Sequence, residues 1–459
     1  MNIQQLHHLM WRSGFGTDLR VIEKNQNKSR ETLVKEIFNT GEKFTPIDIA
    51  TKPAANFKDN FKNLNKEDKE NLKKFNLEEL KDINLQWQRL LVYSQDQVRE
   101  KAALFWHDHF ACFVPFAYMM QLHINKLREH SLGSFRDLLH MISKDAAMLV
   151  FLNNTQNKKK HPNENFAREV MELFTIGIGN YSEDDVKEAA KAFTGWNYDE
   201  EGNFELREKQ HDDGPKTVMG VTKNFEGEDI INVLLDNPKT AYRIVSKIYS
   251  WFVNEKIDEA RVKVLADEYY HNNYHTGDLL QKIFSSDWFY EKQNIGTHIK
   301  SPIELLSGIR RTFVMEFKNE EVLFFLQKIL GQILGHPPNV SGWKDGRPWI
   351  DSSTLLFRLK LSDHIFNNSD FDVVDKDQAE GTSYKGKFKK MEASITMDHI
   401  YQLLEDKSKN EMKKFLTQYL LVCDNKLSEQ MDTPQTDELQ LFVNQYVQEL
   451  LRQPEYQLC

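Results

Sequence analysis

Cysteine is scarce in this chain of 459 residues: Cys112, Cys423 and Cys459 are its only three, and none forms a C-x-x-C pair. A disulfide framework and a cysteine-based zinc knuckle are therefore excluded. Glycine (20) and proline (12) are also few, which excludes collagen-like and low-complexity classes and favours long helices over a many-turned β protein. No run reaches the roughly eighteen apolar residues that a membrane-spanning helix needs. Positive charge is not in excess either. With 60 Lys+Arg against 69 Asp+Glu the net charge is −9, which argues against broad nucleic-acid binding. The first twenty residues hold His7, His8, Arg12 and Asp18 among apolar neighbours. They lack a basic segment followed by an apolar one, so a cytoplasmic location is expected unless a leader has been removed.

What is present is a helical, aromatic-rich chain: 40% of residues are hydrophobic and 12% aromatic, enough for a sizeable core. Apolar positions recur with helical spacing from Leu85 through Leu334, and strand-like alternation is nearly absent. The expected fold is mainly α, a multi-helical globular core over residues 1–365 with a small irregular or β excursion at 197–225. Residues 40–80, rich in Lys, Asn, Glu and Asp, read as a solvated insertion. A polar stretch at 367–392 reads as a linker, and residues 366–459 as that linker plus a C-terminal helical segment with helices at 396–405, 408–422 and 436–451.

Three polar clusters stand out against this helical frame, in or beside loop-like segments. In Phe105-Trp106-His107-Asp108-His109-Phe110 the two histidines would point about 200° apart on a helix, so they could not share one ion. The wheel turns His109 to the core, beside Val98, Ala102 and Phe105, and His107 away from it. In the helix over 163–174, Glu164, Asn165, Arg168, Glu169 and Glu172 fill one arc, with Asn163 as the cap. That arc is either a solvated face laced by i,i+4 ion pairs or a carboxylate face lining a cleft. The third cluster, His211-Asp212-Asp213-Gly214-Pro215-Lys216, offers an imidazole, hard oxygen ligands and a cation in one irregular turn.

Together these residues spell a family pattern. It begins with His8-Leu9-Met10-Trp11-Arg12-Ser13-Gly14-Phe15-Gly16 and continues through Trp106-His107-Asp108-His109-Phe110-Ala111. It runs on from Pro162-Asn163-Glu164-Asn165-Phe166-Ala167-Arg168-Glu169 to Tyr181, and then through Ala192-Phe193-Thr194-Gly195-Trp196 and His211–Lys216. It closes with Lys300-Ser301-Pro302-Ile303-Glu304, Arg310 and Pro337-Pro338-Asn339-Val340-Ser341-Gly342-Trp343. In these motifs, over about residues 1–360, the chain resembles the bacterial domain-of-unknown-function 1800 family. The resemblance implies a fold group, and a sulfatase-like protein as a possible partner, but no reaction.

Two functions are expected on this basis. The first is a metal-dependent hydrolase or transferase acting on an ester or phosphoester in a cleft between helices. His211, Asp212, Asp213, His109 and His107 are its candidate ligands for a divalent metal ion. Glu164 or Glu169 would be the base, and Arg168 or Lys216 would neutralise developing negative charge. Asn163, Asn165, Trp196, Asn339 and Trp343 would line the cleft on which the three clusters converge. The alternative is a non-catalytic helical scaffold or maturation partner whose motifs pin loops and whose tryptophans anchor packing. The sequence holds no Walker loop, nucleophile elbow, H-E-x-x-H or dinucleotide fingerprint, so those enzyme classes are excluded.

Overall fold

The computed structural model describes residues 1–53, 64–367, 391–422 and 427–459, together with the backbone of two short strands at 371–373 and 386–388. Most of the polar stretch at 367–392, part of the 40–80 segment and Cys423 lie outside the described residues. Cys112 and Cys459 are buried free thiols.

The architecture is mainly α. At its centre runs the helix Gln97–His109, opened by the side chain of Asp96 accepting from the Arg99 amide. It is enclosed on nearly every side, and its buried charges are paired accordingly. Glu100 meets Arg128 at 2.7 Å, and Lys101 makes a short contact with Glu304. Glu304 also receives His298 at 3.0 Å and closes a capping box on Ser301 that starts the helix Pro302–Thr312. Around the central helix pack Lys66–Tyr93, Ala117–His130, Phe135–Ser143 and Pro238–Phe252, each anchored by large apolar side chains, and Glu259–His271 packs on the last of these. Trp106, fully buried, donates its indole N–H to the Ser131 carbonyl at 2.8 Å.

The excursion expected at 197–225 is a pair of antiparallel hairpins. Trp196–Tyr198 pairs with Phe204–Leu206, and Lys216–Val218 with Val221–Lys223. Among the described residues the other strands are equally short antiparallel pairs, Met315–Phe317 with Ala393–Ile395 and Phe371–Val373 with Gly386–Phe388. No helix of the described residues is long and apolar enough to cross a membrane.

Two regions differ from the sequence reading. The helix ending at Tyr93 begins not at Leu85 but at Lys66, after the cap Asn65, so much of the supposed insertion is helix. Its Lys, Glu and Leu residues are strong helix formers, and a sparse stripe of Leu77, Leu80 and Ile83 suffices to seat it. The described residues from 391 on, set apart by their polar lead-in, share the same core. Phe442, Tyr446 and Leu450 belong to the hydrophobic cluster that contains Leu6 and Trp106. The last residues pair with 298–300 by main-chain bonds, Cys459 N–H to the His298 carbonyl at 2.8 Å and Lys300 N–H to the Gln457 carbonyl at 2.8 Å.

Candidate functional site

The central helix delivers His107, Asp108 and His109 at its C-terminal end, and each meets a different element. Both histidines are buried, because the helix is covered on two sides; the wheel turns only His109 inward. The His107 ring lies between Trp87 and Trp343, with centroids 5.2 and 5.4 Å away, and its Nε2 accepts the Gly335 N–H at 3.1 Å. Burial, with His123 adding to it, lowers its pKa to about 3. Asp108 accepts the Trp343 N–H at 2.7 Å. The preceding Gly342 has φ +77°, and a Cβ there would sit 2.3 Å from the Asp108 Oδ1, so only glycine lets this loop close over the carboxylate.

His109 points to the helix Pro238–Phe252, where the Lys247 Nζ lies 3.1 Å from its Nδ1. Burial, then Lys247 and Arg243, hold the imidazole well below its ordinary pKa, so it is neutral and its Nδ1 accepts from the ammonium. Among the described residues its buried Nε2 has no partner at full hydrogen-bond geometry, and the neighbouring Phe174 backbone opposes the lowering. Burial, reinforced by Arg243 and opposed by Asp108, lowers Lys247 to about 8. Burial raises Asp108 to about 7, against the Trp343 bond; nearby Asp345 adds to the rise and Lys247 opposes it. Burial thus brings an acid and a base from 3.8 and 10.5 toward neutrality beside the same end of the central helix, each acting on the other through its charge. Both side chains, and Arg243, are half-buried, so the group has an edge open to solvent.

The second cluster reaches this group through a break in its own helix. The α-helix Asn165–Glu169 continues as a π-helical turn, Val170–Phe174, closed by the Thr175 hydroxyl donating to the Val170 carbonyl at 2.6 Å. Such turns are wider than α turns and are often found at functional sites. Here the turn brings the Phe174 ring to within 6.0 Å of His109 and 5.1 Å of Phe110. Glu172 accepts from the Tyr181 hydroxyl at 2.5 Å and offsets part of the burial that lowers the Arg243 pKa. Burial, then Glu172, pushes Tyr181 up to about 12. Gly177, with φ +82°, leaves room for Arg243, whose Nη1 would be 2.8 Å from a Cβ.

The outer face of this segment adopts the plainer of its two readings. Arg168 bridges Glu164 at 3.2 Å and Glu183 at 2.7 Å on the surface, an arrangement worth little in high dielectric. Glu169 is half-buried, its pKa raised by burial and then by Glu172. The Asn163 Oδ1 accepts the Asn165 N–H at 3.0 Å, and Asn165 donates to the Leu152 carbonyl at 3.1 Å, so both shape the turn. Asn339 is exposed, its side chain accepting the Ser341 N–H at 2.8 Å in the loop that presents Trp343.

His211 is not in an open turn. It is 3% exposed, its Nδ1 2.7 Å from the Thr194 carbonyl and its Nε2 2.9 Å from the Glu226 carboxylate. Asp212 accepts the Gly214 N–H at 2.9 Å, and Asp213 is exposed. Lys216 is fully buried, with its Nζ on the Asp212 carbonyl (2.5 Å) and Asn224 (3.2 Å). Trp196 stacks edge-on against Phe193, 5.1 Å between centroids, beside this loop. The loop is thus knitted to the 194–196 turn and to Glu226, while Lys247 and His109 meet at the central helix. His211→Ala is expected to cost about 1–3 kcal/mol of stability, as a buried imidazole with two partners should. An unchanged urea midpoint would return it to an ordinary surface role.

Among the described residues, no group of three or more His, Cys, Asp and Glu side chains stands where it could hold a metal ion. Sequence reasoning passed over Lys247 and Arg243. The available signal was their spacing: two like charges at i,i+4 repel on a solvated face, and their neighbours Ile244 and Ile248 are fully buried.

A family model described as "Protein of unknown function (DUF1800)" matches residues 8–458. No curated protein and no solved structure matches the chain.

Proposed function

The chain belongs to the DUF1800 family, whose description carries no activity, so its chemistry must be argued from its own side chains: we propose an enzyme, a hydrolase or transferase acting on an anionic ester or phosphoester. The observation that carries this reading is the contact of Lys247 with neutral His109, with the half-buried Asp108 one residue before His109 acting on Lys247 through its charge and Arg243 one helical turn away. In this reading Asp108, ionised above about 7, takes the proton from the attacking water or hydroxyl. Lys247, protonated below about 8, gives its proton to the leaving oxygen, and His109 fixes the direction of its N–H bonds. Arg243 holds the anionic group of the substrate, with Glu172 and Tyr181 setting its position. A divalent ion remains part of the proposal as an added reagent in the assay.

The test is a screen of carboxylate esters, phosphomonoesters and phosphodiesters, with and without Mg²⁺, Mn²⁺ or Zn²⁺, run beside Asp108→Asn. Activity is expected to form a narrow bell, rising through about 7 and falling through about 8. The rising limb should vanish in Asp108→Asn. Equal turnover in both proteins would reject the assignment.

One observation favours a second reading, the helical scaffold that serves a sulfatase-like partner. Several motif side chains pin loop backbone: His107 accepts the Gly335 N–H, Asp108 accepts the Trp343 N–H, and His211 donates to the Thr194 carbonyl. A silent screen together with stoichiometric capture of a sulfatase-like protein would favour it.

A further inference from the structure

A cavity of about 330 Å³ opens between the helices Lys66–Tyr93, Ala117–His130 and Glu321–Leu330. Its interior is apolar, formed by Leu80, Ile83, Met120, Ile124, Phe324 and Leu334. One wall, the loop at 333–336, is fixed by three hydrogen bonds. The Leu334 N–H donates to Gln327 at 2.9 Å, Asn84 donates to the Leu334 carbonyl at 2.8 Å, and the Gly335 N–H donates to His107 at 3.1 Å. The cavity is therefore preformed, and its volume lies in the range of small-molecule sites. Few polar groups inside could hold water in place, and an empty apolar space forfeits the contacts of its lining.

The mouth has a different chemistry. Among the described residues, Lys73, Lys81 and Lys328 line it against one acid, Glu78. Lys81 already bridges Glu78 and Glu321, and Lys328 lies 5.0 Å over the Phe324 ring. Lys73 is exposed on the first turns of the long helix, and the His336 ring packs 3.9 Å from Phe113 at the edge. An apolar interior beneath a mouth of net positive charge matches a molecule with an aliphatic body and an anionic head.

We propose that this cavity is a binding site for a medium-chain aliphatic carboxylate, its chain among Leu80, Ile83 and Phe324 and its head between Lys73 and His336. The proposal stands independently of the chemistry assigned to Lys247 and Asp108.

Calorimetry and thermal melts of the full chain with octanoate, decanoate and dodecanoate, all below their micellar concentrations, test it. Affinity should rise about fourfold per methylene until the cavity is full, the value for burying one CH₂. Lys73→Glu, at an exposed position that leaves the fold alone, should weaken dodecanoate about tenfold, equal to 1.4 kcal/mol. Leu80→Trp should block binding, with circular dichroism confirming the fold. Dodecanol binding as tightly as dodecanoate, or indifference to Lys73→Glu, would overturn the anionic head. No saturable binding of any chain length would overturn the site.

Discussion

Lys247→Met is expected to lower the proposed activity about 10²- to 10⁴-fold, the usual loss when a positioned acid or base is removed. Its melting temperature should stay level or rise. Methionine takes the path of the lysine stem, and an apolar group in a buried place often replaces an ion at no loss. The same variant offers a check that needs no substrate. Burial lowers Lys247 from 10.5 to about 8, so below 8 the folded protein carries the cost of a partly desolvated ammonium. Between 8 and 10.5 the unfolded chain binds more protons than the folded one, and wild-type stability gains as pH rises. Lys247→Met lacks that gain. Its stability difference from wild type, taken from urea unfolding, should therefore shift in favour of wild type across this window. A constant difference from pH 7 to pH 11 would mean that Lys247 titrates as an ordinary surface lysine. Asp108 should respond too: without its nearby cation its carboxyl stays protonated to higher pH, moving the rising limb of the activity profile upward.

The largest stability effect is expected at Glu304. Glu304→Ala leaves Lys101, 2% exposed, with a buried ammonium and no counterion, a change that typically costs 3–5 kcal/mol, about half the stability of many domains. It also removes the acceptor of the Ser301 N–H (2.7 Å) at the start of Pro302–Thr312 and the partner of His298. Glu304→Leu with Lys101→Met, which withdraws both charges, should recover much of the loss. If the double variant is as unstable as the single one, the capping box rather than the ion pair carries the energy. The acid side of the stability curve tests the same pair. Burial works to raise the Glu304 pKa, but Lys101 and His298 outweigh it and hold the value well below 4.5. The stabilisation is thus complete above 4.5 and disappears as pH falls toward the lower folded value. Glu304→Gln should flatten that part of the curve.

Helical periodicity made the central helix and the three C-terminal helices legible, and the helix-breaking Asn197, Asp199, Gly202, Asn203, Gly214 and Gly220 the hairpin excursion, because both signals act through local geometry. What spacing cannot express is which polar residues the tertiary structure encloses. Lys66–Leu80 looks solvated in sequence, since its one buried stripe is narrow. His211 looks available in its polar turn until Thr194 and Glu226 arrive from elsewhere in the chain. Lys247 is one lysine among many, and only the approach of His109 from 138 residues away gives it a role. Asp108, noted in the sequence beside two histidines, proves the most exposed member of its trio, and its acidity is altered by burial, against the hydrogen bond from the loop that Gly342 lets close upon it.

The π-helical turn at Val170–Phe174 carries its information as a residue count. It holds one residue more than an α turn would, and a single excision would let the segment wind on regularly, rotating the residues beyond it by about 100°. Gly177 would then no longer lie against Arg243, although no side chain at the site had been altered. Substitution scans across these positions are blind to that dependence, whereas one-codon deletions expose it. In the same way, two chains identical at every polar position, but differing by that one residue, would not share the arrangement around Arg243.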